Sequence, residues 1–425
     1  MITSPAWKDK KYAVLGLARS GRATVEALLA AGADVLVWDD RVEAREPYNG
    51  RCAIGDPLEA DLGGYAGVIV SPGVPLNTHP IKPHADKFGV PVIGDVELFA
   101  QAREHLPPHK VVGITGTNGK STTTALVHHI LKTAGVPTTM GGNIGLPILE
   151  QEPLPEGGIY VLELSSYQID LTYSLDCDVA VLLNITPDHL DRYDGSFEKY
   201  AASKNRLVEM QSEDSYSLIN WQAFTSGLWR TGKAGFNGIV PADAEAQKDW
   251  PSLTGPHNAE NAGAAMAACA WLGLSADQIE EGLGSYSGLP HRMERVAEIS
   301  GVAYVNDSKG TNTAASAPAL AAFDNIHWIL GGLAKEPGLG ECEAELGHVK
   351  AAYTIGRAGP DFAALLEGRV PVEQCETLDR AVTAAAAKAE RGDTVLLSPA
   401  CASFDQYTDF EKRGEHFREL VEALA

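Results

Sequence analysis

The sequence predicts an α/β protein organised as three domains, and three observations carry that prediction. Short apolar runs alternate with helix-periodic segments along the chain, the pattern of parallel sheets joined by crossover helices. At 425 residues the chain exceeds one ordinary core, since domains usually hold about 100 to 200 residues. Two breaks interrupt the alternation, at Glu104-His105-Leu106-Pro107-Pro108-His109 and at Ser287-Gly288-Leu289-Pro290-His291-Arg292. The expected division near these breaks is 1–95, 96–290 and 291–425.

The first region reads as a strand over Tyr12–Leu17, a helix over Ser20–Ala31 and a strand over Val35–Trp38 that closes on Asp39-Asp40. This is a Rossmann-like mononucleotide unit. Gly16 and Gly21 do not complete G-x-G-x-x-G, so the dinucleotide fingerprint is unfinished. A later strand, Gly67–Val70, opens into Ser71-Pro72-Gly73 at the sheet edge where such folds take ligands.

The central region opens with the strand Val111-Val112-Gly113-Ile114 and runs into Thr115-Gly116-Thr117-Asn118-Gly119-Lys120-Ser121-Thr122. A strand, a glycine-turned loop, a lysine, two hydroxyls and a helix together form a P-loop. Loop N–H groups and the helix N-terminus attract phosphate oxygens, Lys120 neutralises charge, and Ser121 can reach Mg2+. The usual spacing would place the first glycine at Ile114, so this is a shortened form, Gly116-x-x-Gly119-Lys120-Ser121. A central P-loop mononucleotide-binding ATPase domain is the expectation.

Glu163 ends the apolar strand Ile159-Tyr160-Val161-Leu162, which should deliver its carboxylate to the P-loop edge as a Mg2+ ligand or an ion-pair partner. The strand Val179–Leu183 leads into Asn184 to Asp191 and should bring His189 to the same edge. On a helix over Phe197–Met210, the residues Phe197, Tyr200, Ala201, Leu207 and Val208 form one stripe with Lys204 near its centre. Such a lysine either snorkels to the rim or has a reason to lie inside. Asn258 and Asn261 begin an Ala-rich helix running to Leu272; capping would account for Asn258 and less readily for Asn261.

The third region, a second Rossmann-like α/β unit, predicts strands at Val302–Val305, Ile326–Leu330, Ala352–Ile355 and Thr394–Leu397, with helices at Ala314–Ala322, Asp379–Glu390 and the C-terminus. Three of those strands end on polar loops: Asn306 to Asn312, Gly331-Gly332 leading to Lys335, and Ser398 to Asp405. Together they suggest a site for a small anion. Helix capping is the alternative for Asp307 and Asp405.

The net charge of -22 argues against nucleic-acid or anionic-membrane partners, so an anionic substrate must be held by local cations and metal. Cys52, Cys177, Cys269, Cys342, Cys375 and Cys401 form no C-x-x-C pair, as expected of reduced cysteines in a cytoplasmic protein. Residues 1–8 lack a signal-peptide pattern, and the small-apolar stretch from Ala262 to Leu274 is too short to span a bilayer.

At these motifs the chain resembles the Mur ligases of bacterial cell-wall synthesis. The resemblance rests on the P-loop, Gly141-Gly142-Asn143-Ile144-Gly145, Leu162-Glu163-Leu164-Ser165-Ser166-Tyr167-Gln168, Asp188-His189-Leu190-Asp191-Arg192-Tyr193, His257-Asn258 and Leu289-Pro290-His291-Arg292. Asn306-Asp307-Ser308-Lys309 and Leu397 to Asp405 are most similar to the branch that adds D-glutamate. The resemblance implies an ATP-dependent amide ligase using UDP-N-acetylmuramoyl-L-alanine and D-glutamate through an acyl phosphate, expected as a monomer. It implies catalytic roles for Lys120, His189 and Lys204, with one Mg2+ on Ser121 and Glu163 and a second on His189 and a carbamylated Lys204. ATP would meet Gly116, Thr117, Asn118, Gly119, Lys120, Ser121, Thr122, Asn258, Asn261, Arg292 and Asp307. D-glutamate would meet Lys309, Thr311, Lys335, Ser403 and Phe410, and the UDP-precursor Leu17, Ala18, Asp40, Arg41, Gly73, Asn143 and Ser166.

Three rival functions start from the same residues. A nicotinamide oxidoreductase would fit the first region but not the P-loop. A non-catalytic nucleotide scaffold has no need of Glu163, His189 and Lys204. A sister ligase adding another amino acid, or extending folate with glutamate, differs only in the third-region motifs.

Overall fold

The computed structural model describes residues 1–221, 232–335 and 337–424. Among these residues, three sheets account for the expected α/β alternation. The first contains β1 (Lys11–Leu15), β2 (Asp34–Trp38), β3 (Ala53–Ile54), β4 (Tyr65–Val70) and β5 (Val92–Ile93), in the order β3-β2-β1-β4-β5 with all pairs parallel. The second contains β6 (His109–Thr115), β7 (Thr138–Gly142), β8 (Gly158–Glu163), β9 (Val179–Leu182), β10 (Tyr216–Ile219) and β11 (Gly235–Gly238), ordered β11-β10-β9-β6-β8-β7 and again parallel. The third contains β12 (Glu294–Ile299), β13 (Val302–Asn306), β14 (Ile326–Gly331), β15 (Val349–Ile355), β16 (Val372–Glu376) and β17 (Thr394–Leu397), ordered β12-β13-β17-β14-β15-β16. Only β12 runs antiparallel to its neighbour there.

The short strands β3 and β5, the interior strand β10 and the edge strands β7, β11, β12 and β16 escaped the sequence reading. Edge strands lose the apolar signal because one side or face stays wet; all four residues of β11 are exposed, whereas every residue of β8 and β14 is buried. The first strand also ends earlier than predicted, at Leu15, which leaves Leu17 and Ala18 in the loop before the helix Arg19–Ala30. That difference moves Leu17 out of the strand and into the loop that already held Ala18.

The chain separates into two compact units, Met1–Pro241 with Glu260–Gly282, and Ala242–Ala259 with Leu283–Ala425. The first unit carries the first two sheets. One apolar cluster runs through both of them, from Ile2, Trp7 and Val14 to Phe99, Tyr160, Leu164 and Leu207. The first break predicted from the sequence is a single 3-10 turn, Arg103–His105, just before β6. The helix Asp95–Ala102 before it buries Phe99 edge-on against Tyr160, with ring centroids 5.1 Å apart. The second unit carries the third sheet, with Trp328, Leu330 and Leu396 packed on one face and Ile329, Tyr353 and Leu397 on the other.

Every parallel strand points its carboxyl end at one edge of its sheet, and the strand order reverses direction within each sheet. Ligand crevices form at such reversals. In the first sheet the reversal lies between β1 and β4, where Ser71 Oγ donates to Gly16 O at 2.9 Å. In the second it lies between β6 and β9, and in the third β17 enters between β13 and β14.

Phe99→Ala removes the ring that joins the helix to β8, so the first unit should lose about 3–5 kcal/mol. A fall in the urea midpoint of its unfolding transition would register the loss; an unchanged midpoint would mean that this contact does not hold the two sheets together.

Candidate functional site

The P-loop is built by the end of β6 and by the loop after β9. Thr117 N–H donates to Asn184 O at 2.8 Å, and Asn118 N–H donates to Asn184 Oδ1 at 2.8 Å. Thr117 Oγ1 donates to Thr186 O at 3.1 Å and lies 3.0 Å from Tyr200 OH. Gly119 has a φ of +81°, and a Cβ there would collide with Asn261 Oδ1. Asn261 is buried inside the Pro256–Trp271 helix and accepts from Thr123 Oγ1 at 3.2 Å, so it braces the loop instead of capping its own helix. The helix Lys120–Thr133 begins directly after Gly119, with Ser121 buried in its first turn.

Two lysines converge on this loop. Lys120 Nζ donates to Gly116 O at 3.0 Å and to Thr117 O at 2.7 Å. Lys204 Nζ donates to the same Gly116 O at 2.8 Å and lies 4.7 Å from the Tyr200 ring centroid. Only 2% of Lys204 is exposed, so it does not snorkel. Burial first, and then the charge of Lys120, pull its pKa down to about 7. Of the predicted stripe, Tyr200, Ala201, Leu207 and Val208 are buried and Phe197 is half-buried; Ser203 and Asn205 are buried beside them.

Glu163 lies at the carboxyl end of β8, paired in register with Ile114. It is 1% exposed, and its Oε1 accepts from Asn143 Nδ2 at 2.8 Å. Asn143 N–H also holds Glu163 O at 2.8 Å. Glu163 Oε2 is buried with no hydrogen-bond partner among the described residues, so the ion-pair alternative fails. A buried carboxylate oxygen without a donor fits a cation ligand. Among the described residues no three His, Cys, Asp or Glu side chains cluster, so a magnesium ion would need hydroxyl, substrate or water oxygens as well.

His189 adopts a left-handed conformation, with φ of +50°, which turns its ring onto Tyr167 with centroids 5.4 Å apart. Its side chain is half exposed, and Nε2 lies 3.4 Å from Asp188 Oδ2. A cavity of about 320 Å3 in the first unit is lined by Lys120, Lys204, His189, Asn143, Ser166 and Gly73, six residues singled out from sequence, together with Tyr167, Asp188 and Arg192. Ser166 opens the short helix Ser166–Asp170, which Ser165 and Gln168 fix by a capping box.

Arg192 had a place only inside a motif, yet it ties the first sheet to this cavity. Its guanidinium donates to Pro72 O at 3.0 Å and Val74 O at 3.2 Å, and stacks 4.3 Å from the Tyr167 centroid. Gly73 is thereby held at the rim. Of the other precursor candidates, Leu17 N–H donates to Asp39 Oδ2 at 2.7 Å, and Arg41 binds Asp39 Oδ1 through N–H at 3.0 Å and Nε at 3.1 Å. Ala18, Asp40 and Arg41 are exposed around that carboxylate. Asp39 organises the loop, a role that adjacency to Asp40 concealed in the sequence.

In the second unit Asn258 is the third residue of its helix, where its Nδ2 donates to Thr254 O at 3.0 Å; it is not the N-cap. Asp307 and Asp405 are not helix caps either, because Asn312 and Asp409 perform that task for Thr313–Ala321 and Phe410–Glu422. Asp307 is buried, accepting from Ser398 Oγ at 2.7 Å and Met293 N–H at 3.2 Å, and burial raises its carboxyl pKa to about 7. Half-buried Arg292 helps to oppose that rise.

The three polar loops emerge side by side because β13, β17 and β14 are adjacent. Leu333 and Ala402 exchange backbone hydrogen bonds of 2.8 and 3.0 Å, which joins two of them. Ser403 is buried, Thr311 half-buried and Lys335 exposed, while Lys309 Nζ lies 3.8 Å from the Phe410 ring centroid. Arg413 beneath these loops was missed. Its signal was the one that exposed Lys204: Arg413, Phe417 and Val421 repeat every fourth residue on a buried helix face.

With this geometry in view, the comparisons are specific. Residues 114–250 match the Mur ligase middle domain, and residues 291–401 match the Mur ligase glutamate ligase domain. A curated protein of Novosphingobium aromaticivorans, named UDP-N-acetylmuramoylalanine--D-glutamate ligase, is 61% identical over 100% of this chain and 97% of its own length. The chain belongs to the Mur ligase family. A Sphingopyxis alaskensis protein of the same name is 58% identical over 100% of both chains. The MurF ligase of Thermotoga maritima, solved with ADP, shares the Mur ligase fold at a TM-score of 0.60 and 16% identity, covering 99% of this chain and 97% of that one.

The buried Lys204 of this Mur ligase titrates below its unfolded-state value, so the unfolded chain binds the extra proton between about pH 7 and 10.5 and stability rises with pH across that window. Lys204→Met should therefore gain most relative to the natural chain near pH 7, with the difference shrinking by about pH 9.5. Urea midpoints at the two pH values test this; a constant difference would place the burial cost elsewhere.

Proposed function

We propose that this chain is an ATP-dependent amide ligase that joins D-glutamate to UDP-N-acetylmuramoyl-L-alanine in peptidoglycan synthesis, forming ADP. The observation that carries the chemistry is the meeting of Lys120, Lys204 and His189 in one cavity with the P-loop, near the buried Glu163 oxygen that has no hydrogen-bond partner among the described residues. The substrates are those of the ligases whose name accompanies the full-length likeness.

An ionised carboxylate is a poor electrophile, and phosphorylation by ATP gives it a leaving group. The precursor carboxylate oxygen attacks the γ-phosphorus, ADP departs, and the acyl phosphate forms. The D-glutamate amine then attacks the acyl carbon through a tetrahedral intermediate, releasing phosphate and a proton. Most of the acceleration is alignment and charge stabilisation. The P-loop residues Gly116 to Thr122, with Asn261, hold ATP, and Lys120 moves from loop carbonyls to phosphate oxygens. Ser121 and Glu163 would hold one magnesium ion, and His189 with Lys204 a second; bound magnesium supplies neutralising charge to the phosphates.

As an amine, Lys204 is a poor ligand for magnesium. Its lowered pKa leaves a large neutral fraction near pH 7, and that amine can attack CO2, forming an N–C bond and losing one proton to give an anionic carbamate. The precursor binds to residues 1–95 through Leu17, Ala18, Asp40, Arg41 and Gly73, and Asn143 and Ser166 guide its carboxylate end. Residues 96–290 bind ATP, and 291–425 bind D-glutamate through Lys309, Thr311, Lys335, Ser403 and Phe410. None of the six cysteines forms a disulfide among the described residues, which suits work in the reducing cytoplasm.

ADP release from MgATP should require both the precursor and D-glutamate, with L-glutamate a poor replacement; turnover with a different amino acid would redirect the assignment within the family. Lys204→Ala should lose about 100-fold or more of kcat, the scale of removing one charge partner of a transition state. Added formate or acetate should recover part of it. Full activity in the mutant would remove Lys204 from the mechanism.

A further inference from the structure

Arg413 is 1% exposed, and its guanidinium is anchored by neutral oxygens. Its Nε donates to Ser308 Oγ at 3.0 Å, and its Nη2 donates to Ser308 O at 2.8 Å and Cys401 O at 3.1 Å. Among the described residues Nη1 is buried without a hydrogen-bond partner, facing Gly332, where a Cβ would come within 3.3 Å of it. Among the described residues no carboxylate lies within ion-pair distance of Arg413; Asp405 and Asp307 act on it only at longer range. A buried guanidinium without a paired counter-charge is costly, and a fold retains one where something else supplies the negative charge.

The groups that Arg413 holds are the roots of the acceptor loops. Ser308 precedes Lys309, and Ser308 Oγ itself donates to Phe410 O at 2.8 Å. Cys401 follows Ala400, whose φ of +54° is strained for a residue with a Cβ and must be held by its surroundings. Ser403 lies two residues further on. One side chain thus connects the loops carrying Lys309 and Ser403, and Ser308 ties them to Phe410 at the start of the helix that bears Arg413.

We infer that Arg413 is a positioning and specificity residue for the amino-acid substrate: it fixes the Ser308 and Cys401 loops through three hydrogen bonds, and its unpaired charge favours an acceptor bearing two carboxylates. The inference rests on the proposed ligase reading. Because Nη1 is sealed from solvent, the guanidinium acts through the loops and through its field and does not touch the substrate.

Steady-state kinetics on the full-length protein test this with Arg413→Met, Arg413→Lys and Ser308→Ala, varying D-glutamate, ATP and the precursor in turn. Arg413→Met should raise KM for D-glutamate by about 10-fold or more while KM for the precursor stays put. Arg413→Lys, which keeps the charge and loses the fork, should recover part of that rise. Ser308→Ala keeps the charge and breaks one link, so a smaller rise is expected, and it tests the loop route should Arg413→Met fail to fold. An unchanged KM for D-glutamate in Arg413→Lys and Ser308→Ala would overturn the inference, as would equal KM increases for all three substrates. Absence of D-glutamate-dependent ADP release in the natural chain would instead reject the ligase reading itself.

Discussion

Two ammonium groups share the carbonyl oxygen of Gly116, and the site is organised around that contact. Lys120 reaches it from the first turn of the helix after the loop, and Lys204 from a helix 88 positions away in sequence. Like charges this close raise each other's energy, and burial adds to the cost. The arrangement leaves concentrated positive potential beside the P-loop in a chain whose net charge is -22. An anion entering the cavity meets local cations even though the molecule as a whole would repel it.

The same economy of means recurs elsewhere. Arg192 binds the carbonyls of Pro72 and Val74, Arg413 those of Ser308 and Cys401, and both are arginines whose fork matches several oxygens at once. Loops at sheet edges cannot hold themselves in place with ladder hydrogen bonds, so long side chains from neighbouring helices and turns supply the missing donors. Cation and loop geometry are therefore set by the same residues. Glu163 is the counterpart on the acidic side: Asn143 satisfies one of its oxygens and leaves the other available to a cation.

Much of the site was legible because strand-end residues announce themselves. Glu163, His189, Asp307 and Ser403 each lie at or just beyond the end of an apolar run, and a parallel strand delivers the residues after it to the ligand edge. Lys204 could be read from helical period alone, since a charge inside an apolar stripe violates the expected pattern. Arg413 carried the same signal in a helix whose mean character is polar, where one more charge is easily passed over. Asp39 and Arg192 were harder, because their importance lies in which backbone groups they hold. Asp307 and Asp405 were ambiguous for a related reason: any acid before a helix resembles a cap until the actual cap is seen.

The sequence by itself determined the alternation of strands and helices, the P-loop, and the family to which the motifs belong. These depend on local period and on short runs of residues whose chemistry is fixed by their neighbours in the chain. Tertiary structure decided the rest: that β6 stands between β8 and β9, that Lys204 points inward at Gly116, and that Arg413 lies beneath three loops with no counter-ion paired to it among the described residues. Strand order, burial and hydrogen-bond partners arise from contacts between residues far apart in the chain. Only packing gives a charge its dielectric and its neighbours.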